Sequence, residues 1–420
     1  MVRDRVQRNL WTITVAGGVS RFGDHFQTLA VTSLTYALTR SPMAAAVAMA
    51  MTGIPYVLWA GCAGRAADRL NSRRVFAVTN LLRCLLTLLF IPTQNPYLIF
   101  ALNFAGSSIG AFMAPARARL LRQLVGKENL MKANARQSTI TGAVELVGPV
   151  VAGFFLMQAG PGWAFLINSL SYLAPALAMA LVAPVEENFP PPQAPDGVPA
   201  QSAWAILRAH PEIVVLLVGN AIFQLGMWAT NALFYPFVAD VLHRGPDVLG
   251  WSISAYFGAS LITGPAMERW GKRLRRNNLM FLGFAFATLV WLGYTFVYNV
   301  PLMLVLSVFD GIVFTLATIL FNTRVQEDAP GHALGRVFAA ATAWQETACF
   351  VGMLGGGWLA TAWGILPGMR FFAVLTLALL APLPFLAVWL WGSTGNRQRP
   401  TKDFWHRTFK ADSTQGGTPT

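Results

Sequence analysis

Gly64-Arg65-Ala66-Ala67-Asp68-Arg69-Leu70-Asn71-Ser72-Arg73-Arg74 carries one acid among four arginines, with a long apolar segment running into it and another running out. Charges at that density cannot lie in hydrocarbon, so the stretch is a turn at a membrane surface. Two hundred positions later the chain reads Gly264-Pro265-Ala266-Met267-Glu268-Arg269-Trp270-Gly271-Lys272-Arg273-Leu274. Both stretches have Gly, an acid four places on, then Arg, then a basic residue at the ninth or tenth place. The same charged turn, between the same kind of apolar segments, occurs once in each half.

The composition agrees with a bilayer as solvent. Of the 420 residues, 55% are hydrophobic and only 12% charged, whereas soluble domains carry about 25% charged residues. Mean hydropathy is +0.50. A net charge of +13 would suggest nucleic acid in a soluble chain. In a membrane chain it marks the cytoplasmic helix ends instead, and no nucleic-acid partner is expected. Cys62, Cys84 and Cys349 each stand alone in an apolar run, without metal or disulfide spacing, and read as small buried hydrophobes. The first apolar segment is too long for a cleavable signal and reads as the first spanning helix.

A spanning helix needs about 20 mostly apolar residues. That ruler predicts twelve segments, at 10–37, 43–65, 75–93, 97–117, 137–159, 163–183, 212–241, 247–267, 278–298, 301–323, 336–361 and 369–392. With the N-terminus inside, only Arg40, Arg244 and Arg370 fall in outer loops, and Arg21 and Arg83 fall within segments. Every other Lys and Arg is then cytoplasmic, so both termini are expected there. The predicted divisions are a first six-helix bundle at 1–184, a linker at 185–210, a second six-helix bundle at 211–392 and a polar, disordered tail at 393–420. The linker is proline-rich from Pro184 to Pro199 and ends in a short stretch around Trp204 and Arg208 suited to the inner surface. The fold expected is an all-α membrane protein of twelve helices in two pseudo-symmetric bundles. Arg136 and Arg336 open segments 5 and 11, again two hundred apart, and Glu145 and Glu346 follow at matching depths. Such duplication marks a transporter built from repeats, with its site between them.

On these residues the chain resembles the major facilitator superfamily over nearly its whole length. The family's turn between helices 2 and 3 is Gly-x-Leu-Ala-Asp-Arg-x-Gly-Arg-Arg/Lys. Gly64, Ala67, Asp68, Arg69 and Arg73 fit it, while Ala66, Asn71 and Ser72 depart. The second copy keeps Gly271, Lys272 and Arg273, with Glu268 for the Asp. Phe22-Gly23-Asp24, Ala114-Pro115-Ala116-Arg117 through Asn129–Asn134, and Leu334-Gly335-Arg336-Val337-Phe338 look like the macrolide-efflux and drug-exporter branch. Lysophospholipid transporters share the helix 1 and helix 4–5 patterns. Gly148-Pro149-Val150-Val151-Ala152-Gly153 resembles the antiporter motif Gly-Pro-x-x-Gly-Gly, with one Gly changed to Ala. Many proton-coupled exporters carry an Arg in helix 4, where this chain has Asn103. The resemblance implies that Asp68 lies near the cytoplasmic start of segment 11 and Glu268 near that of segment 5. A helix N-terminus favours such a carboxylate by about 0.3–1 kcal/mol. The gating set is then Gly64, Asp68, Arg69, Arg73, Gly264, Glu268, Arg269 and Arg273.

The candidates for substrate and proton coupling are the charges inside the segments: Asp24, Arg21, Glu145, Asp310 and Glu346. A carboxylate at the bilayer centre costs about 2.5–3.5 kcal/mol on insertion scales and should face a cavity or a partner. Asp24 and Arg21 are three apart on one helix face. Either Asp24 takes up a proton or a cationic cargo with Arg21 tuning it, or the two form a fixed ion pair. His25 points elsewhere and reads as a hydrogen-bonded packing residue. Glu346 is expected either to act in coupling or to pair with an end of segment 2 or 8. Arg83 reads as a structural partner for one of the acids. Gly148 and Gly153, with Gly352 and Gly355–Gly357, suit close helix packing, and Pro149 permits bending. No phosphate-binding loop, cofactor or metal cluster is readable. The expected function is proton-coupled export of a lipophilic or amphipathic small molecule by a monomer in the inner membrane. A lysophospholipid carrier and a transporter-like sensor or scaffold are the alternatives. An intramembrane enzyme would need a nucleophile–base or metal cluster, and the five scattered histidines offer none.

Overall fold

The computed structural model describes residues 2–125, 129–182, 203–270, 279–330 and 334–394. All five stretches are essentially helix. The first half holds α1 (Val2–Thr39), α2 (Pro42–Arg69), α3 (Ser72–Leu88), α4 (Pro96–Val125), α5 (Leu130–Ala159), α6 (Pro161–Ser171) and α7 (Leu173–Leu181). The second holds α8 (Ala203–Ala209), α9 (Pro211–Asp240), α10 (Pro246–Trp270), α11 (Leu279–Tyr294), α12 (Val300–Asp328), α13 (Leu334–Trp363), α14 (Ile365–Leu380) and α15 (Leu383–Thr394). Helix fills most of each of the twelve predicted segments, though α3 stops at Leu88 short of the predicted 93 and α11 at Tyr294 short of 298. The sixth is broken at Tyr172 into α6 and α7, and the twelfth at Ala381-Pro382 into α14 and α15.

Local chemistry sets the ends. Ser41 Oγ accepts from Ala44 N at 3.3 Å and starts α2, with Pro42 in its first turn. Asn71, inside the charged turn, accepts from Arg73 N and Arg74 N and starts α3 three residues before the predicted boundary. Asn299 caps α12 through Leu302 N at 2.9 Å. Gly160 (φ 81°) ends α5 and Gly364 (φ 95°) ends α13, each in the left-handed region where a glycine is unstrained. These two turns occupy matching places in the two halves. The surroundings of Gly64 and the side chains of Asp68, Arg69, Glu268 and Arg269 are not described, and Arg273, the linker at 183–202 and the tail from 395 lie outside the described residues.

Among the described residues, seven helices are long and apolar enough to cross a membrane: α2, α4, α5, α6 with α7, α9, α12, and α14 with α15. The helix α1 is not among them because Arg21, Asp24 and His25 lower its hydropathy, and α3, at 17 residues, is too short. The outward faces bear lipid-suited side chains such as Leu58, Phe154, Ile262, Phe286 and Trp389. Each half has its own apolar centre. In the second, Phe223 stacks on Phe284 and Trp291. In the first, Phe26, Phe90 and Phe165 fill the middle. The halves meet through two equivalent pairings, α2 with α13 and α5 with α10. Together these make an all-helical membrane fold, consistent with the twelve expected segments.

Candidate functional site

The candidate site is built on α1 and begins with the small residue Gly23. A side chain there would run into Ser171 Oγ and Asn168 Oδ1. The glycine therefore lets α1 lie directly on α6 and delivers Asp24 to the α6–α7 break. Asp24 Oδ1 accepts from Tyr172 Oη at 2.6 Å and from Arg83 Nη2 at 3.2 Å. The Arg83 guanidinium lies 4.2 Å from the centre of the Tyr172 ring, which adds a cation–π contact to the ion pair. The Asp24 side chain is 33% exposed and that of Arg83 only 14%. The network continues as Asn168 Nδ2 donates to Tyr172 Oη at 3.0 Å and to Gln27 Oε1 at 2.5 Å.

One turn earlier, Arg21 leaves α1 in another direction. Its Nε donates to Glu145 Oε1 on α5 at 2.8 Å. His25 Nε2 stands 3.3 Å from Glu145 Oε2, a close approach without the angle of an aligned hydrogen bond. Both sequence readings of Arg21 and Asp24 as each other's partner are therefore corrected. The arginine is long enough to reach α5, while the short aspartate finds its cation on α3. His25, expected to point elsewhere, shares the acid with Arg21. The antiporter-like stretch supplies the seat. A side chain on Gly148 would stand 2.5 Å from the His25 ring, and one on Gly153 would stand 2.6 Å from Pro246 O. Pro149 O in turn packs where Gly250 of α10 has no side chain.

Glu145 also lines a cavity of about 400 Å³ between α5 and α10, with Gln137, Ser138 and Thr141 on one wall and Phe257, Ser260 and Leu261 on the other. Its lining is amphipathic, and its size falls in the range of small-molecule sites, roughly 300–1,000 Å³. It sits in the seam between the halves.

The remaining candidates stand apart. Asp310 on α12 accepts from Trp291 Nε1 at 3.1 Å. Glu346 is half-buried on α13 and has neither hydrogen bond nor ion pair among the described residues, so the expected pairing with an end of segment 2 or 8 is not seen there. No contact among the described residues joins either acid to the α1 clusters. Asn103 donates to Ala48 O at 2.8 Å and to Thr52 Oγ1 at 3.0 Å, a packing link between α4 and α2. Arg73, from the gating set, donates to Met179 O.

At the end remote from the 64–74 turn the halves are clasped. Tyr36 Oη donates to Asp240 Oδ2 at 2.5 Å, and Arg40 lies 3.8 Å from the same carboxylate. Met43 N donates to Thr361 Oγ1 at 3.3 Å, and a side chain on Gly357 would meet Ala46 Cβ at 2.6 Å. Ala46, Ala50, Ala232, Cys349 and Met353 form an apolar patch across the join. Sequence reasoning missed Tyr172, Asn168 and this clasp. The one available sign was Phe22-Gly23-Asp24, a glycine beside an intramembrane acid.

The family model described as a transmembrane secretion effector matches residues 2–397. The multidrug efflux pump Tap of Mycolicibacterium fortuitum is 26% identical over 348 residues, covering 77% of this chain and 81% of that one. The lysophospholipid transporter LplT of Cronobacter sakazakii is 27% identical over 175 residues, 42% of this chain and 43% of its own. A bacterial homologue of the human lysosomal transporter Spinster, solved inward-facing and unoccupied, superposes with a TM-score of 0.72 at 13% identity over 94% of this chain and 99% of that one. At that identity the likeness is one of fold.

Proposed function

The chain belongs to the transmembrane secretion effector family of the major facilitator superfamily, and from that membership we propose a secondary active exporter that exchanges protons for lipophilic or amphipathic small molecules. The observation that carries this reading is the pair of arginine-compensated carboxylates that α1 gathers within its span. Asp24 rests on Arg83 and Tyr172, and Glu145 rests on Arg21 and His25. Each assembly balances its acid with a cation where free charge is costly, and one proton opens either. Protonating Asp24 releases Arg83, and protonating Glu145 releases Arg21 at the wall of the cavity. Cargo in the seam between α5 and α10 is thereby coupled to the proton state of α1.

Alternating access follows from rocking the bundles about that seam. The clasp of Tyr36 and Arg40 on Asp240 supports an inward-facing form, with the 64–74 turn and both termini on the cytoplasmic side of the inner membrane. In the opposite form Asp68 and Glu268 hold the cytoplasmic ends of the halves together. One chain carries both bundles, 1–184 and 211–392, so a monomer suffices.

The second reading is a lysophospholipid carrier. The seam cavity favours it, polar on the α5 wall and apolar at Phe257 and Leu261, as does the partial likeness to LplT. Flux in inverted vesicles with an imposed pH gradient, run on a panel of lipophilic drugs beside lysophospholipids, separates the two. Proton-driven flux of drugs that Asp24→Asn and Glu145→Gln both abolish is the expected result. If both variants keep pH-driven flux, coupling through α1 is wrong. Flux confined to lysophospholipids and indifferent to pH selects the second reading.

A further inference from the structure

We infer that Arg117 of α4, which packs against α1 one turn before Arg21, receives the anionic group of an amphiphilic cargo whose apolar part lies in the α5–α10 seam. This deepens the export reading and rests on it. Gly17 and Arg21 are four apart on α1 and share a face. A side chain on Gly17 would stand 2.9 Å from Arg117 Nη2, so the glycine makes room for the guanidinium against the backbone of α1. Arg117 is half-buried near the cytoplasmic end of the apolar part of α4. Among the described residues no carboxylate and no hydrogen-bond acceptor pairs with it. Glu145, the acid at this level, has one oxygen on Arg21 and the other beside His25.

The excess of positive charge continues towards the start of α5. There Arg136 donates to Gln7 Oε1 at 3.0 Å and covers the Trp11 ring at 5.0 Å, again without an acid among the described residues. The seam cavity begins at the next residue, Gln137, and ends at Glu145. Among the described residues, Arg117, Arg21 and Arg136 thus stand with one carboxylate, Glu145, and that acid is their link to the seam cavity. Uncompensated guanidinium is costly in lipid, and the planar fork of arginine matches phosphate and carboxylate. An anionic headgroup supplies the missing charge, whereas a cationic one meets repulsion. The Arg21 side chain is 57% exposed, open to such a ligand even while it holds Glu145.

Binding to the purified full chain in zwitterionic nanodiscs tests this with three probes: dodecyl phosphate, dodecyltrimethylammonium and inorganic phosphate. Dodecyl phosphate is expected to bind at least tenfold tighter than dodecyltrimethylammonium. Arg117→Gln should weaken dodecyl phosphate about tenfold, and Arg117→Lys should weaken it less. Equal binding of the cationic amphiphile, or unchanged binding by Arg117→Gln, overturns the inference. Inorganic phosphate binding as tightly as dodecyl phosphate overturns the amphiphile assignment. If Arg117→Gln fails to fold, Arg117→Lys takes its place, and unchanged dodecyl phosphate binding by that variant overturns the assignment to Arg117. Vesicle flux is read separately. Charge-blind binding with flux intact sinks the anion site alone, while absence of flux for every amphiphile sinks the export reading and leaves the binding result standing.

Discussion

Asp24 and Arg83 show what a charge inside a membrane helix requires. The carboxylate is tolerated because a guanidinium and a phenol meet it within 3.2 Å and 2.6 Å. Removing one partner of a buried pair leaves the other uncompensated, at about 3–5 kcal/mol in soluble interiors. Polar contacts between membrane helices measure lower, about 0.6–1.7 kcal/mol, and Asp24 is one-third exposed. The lower range governs. Asp24→Asn and Arg83→Gln are each expected to destabilise by about 0.6–1.7 kcal/mol, and the double variant by less than their sum, the shortfall being at least about 0.5 kcal/mol. Thermal unfolding in detergent measures the cycle, and additive effects would remove Arg83 as the partner of Asp24. That Arg83 serves some acid is legible in its lone position in segment 3. Which acid it serves is not, because 59 residues separate the two and helix rotation selects between them.

The helices of the site are placed by glycines rather than by the charges they carry. Gly23 admits α6, Gly148 admits the His25 ring, and Gly250 admits the backbone of α5. Overpacking a tight contact costs about 1–3 kcal/mol. Gly23→Ala should fall in that range, because Ser171 and Asn168 are tied into the network and cannot withdraw. Gly250→Ala should cost at least as much, since its obstacle is the Pro149 carbonyl and not a movable side chain. Gly53 has open space around it, and Gly53→Ala should be neutral or gain up to about 1 kcal/mol from helix propensity. Melting temperatures of the three variants check this order, and equal losses for all three would show that close approach is not what places α1.

Over the whole molecule, the clasped end joins the halves through a few polar contacts beside an apolar patch. The hydrogen bond from Tyr36 to Asp240 links α1 to α9 at the clasped end. A net contribution of about 1 kcal/mol corresponds to roughly a fivefold change in a two-state population. Tyr36→Phe is therefore expected to raise maleimide labelling of an Ala232→Cys probe several-fold from the clasped side, with the native cysteines replaced. Ala232 is fully buried in the apolar patch across the join. Unchanged labelling would mean that the apolar contacts alone hold the clasp.

Membrane residence, the twelve segments and the internal repeat were determined by the sequence alone. Hydropathy, charge asymmetry and a two-hundred-residue period are one-dimensional properties, and lipid imposes them on each helix separately. The exchange of partners around α1 was decided only in the tertiary structure. Arg21 goes to Glu145 and not to Asp24, and Asp24 goes to Arg83 and Tyr172, across separations of 124, 59 and 148 residues. Side-chain reach and the rotation of each helix set these pairs. Neither is encoded in spacing along the chain, because both depend on how closely glycines let neighbouring helices approach.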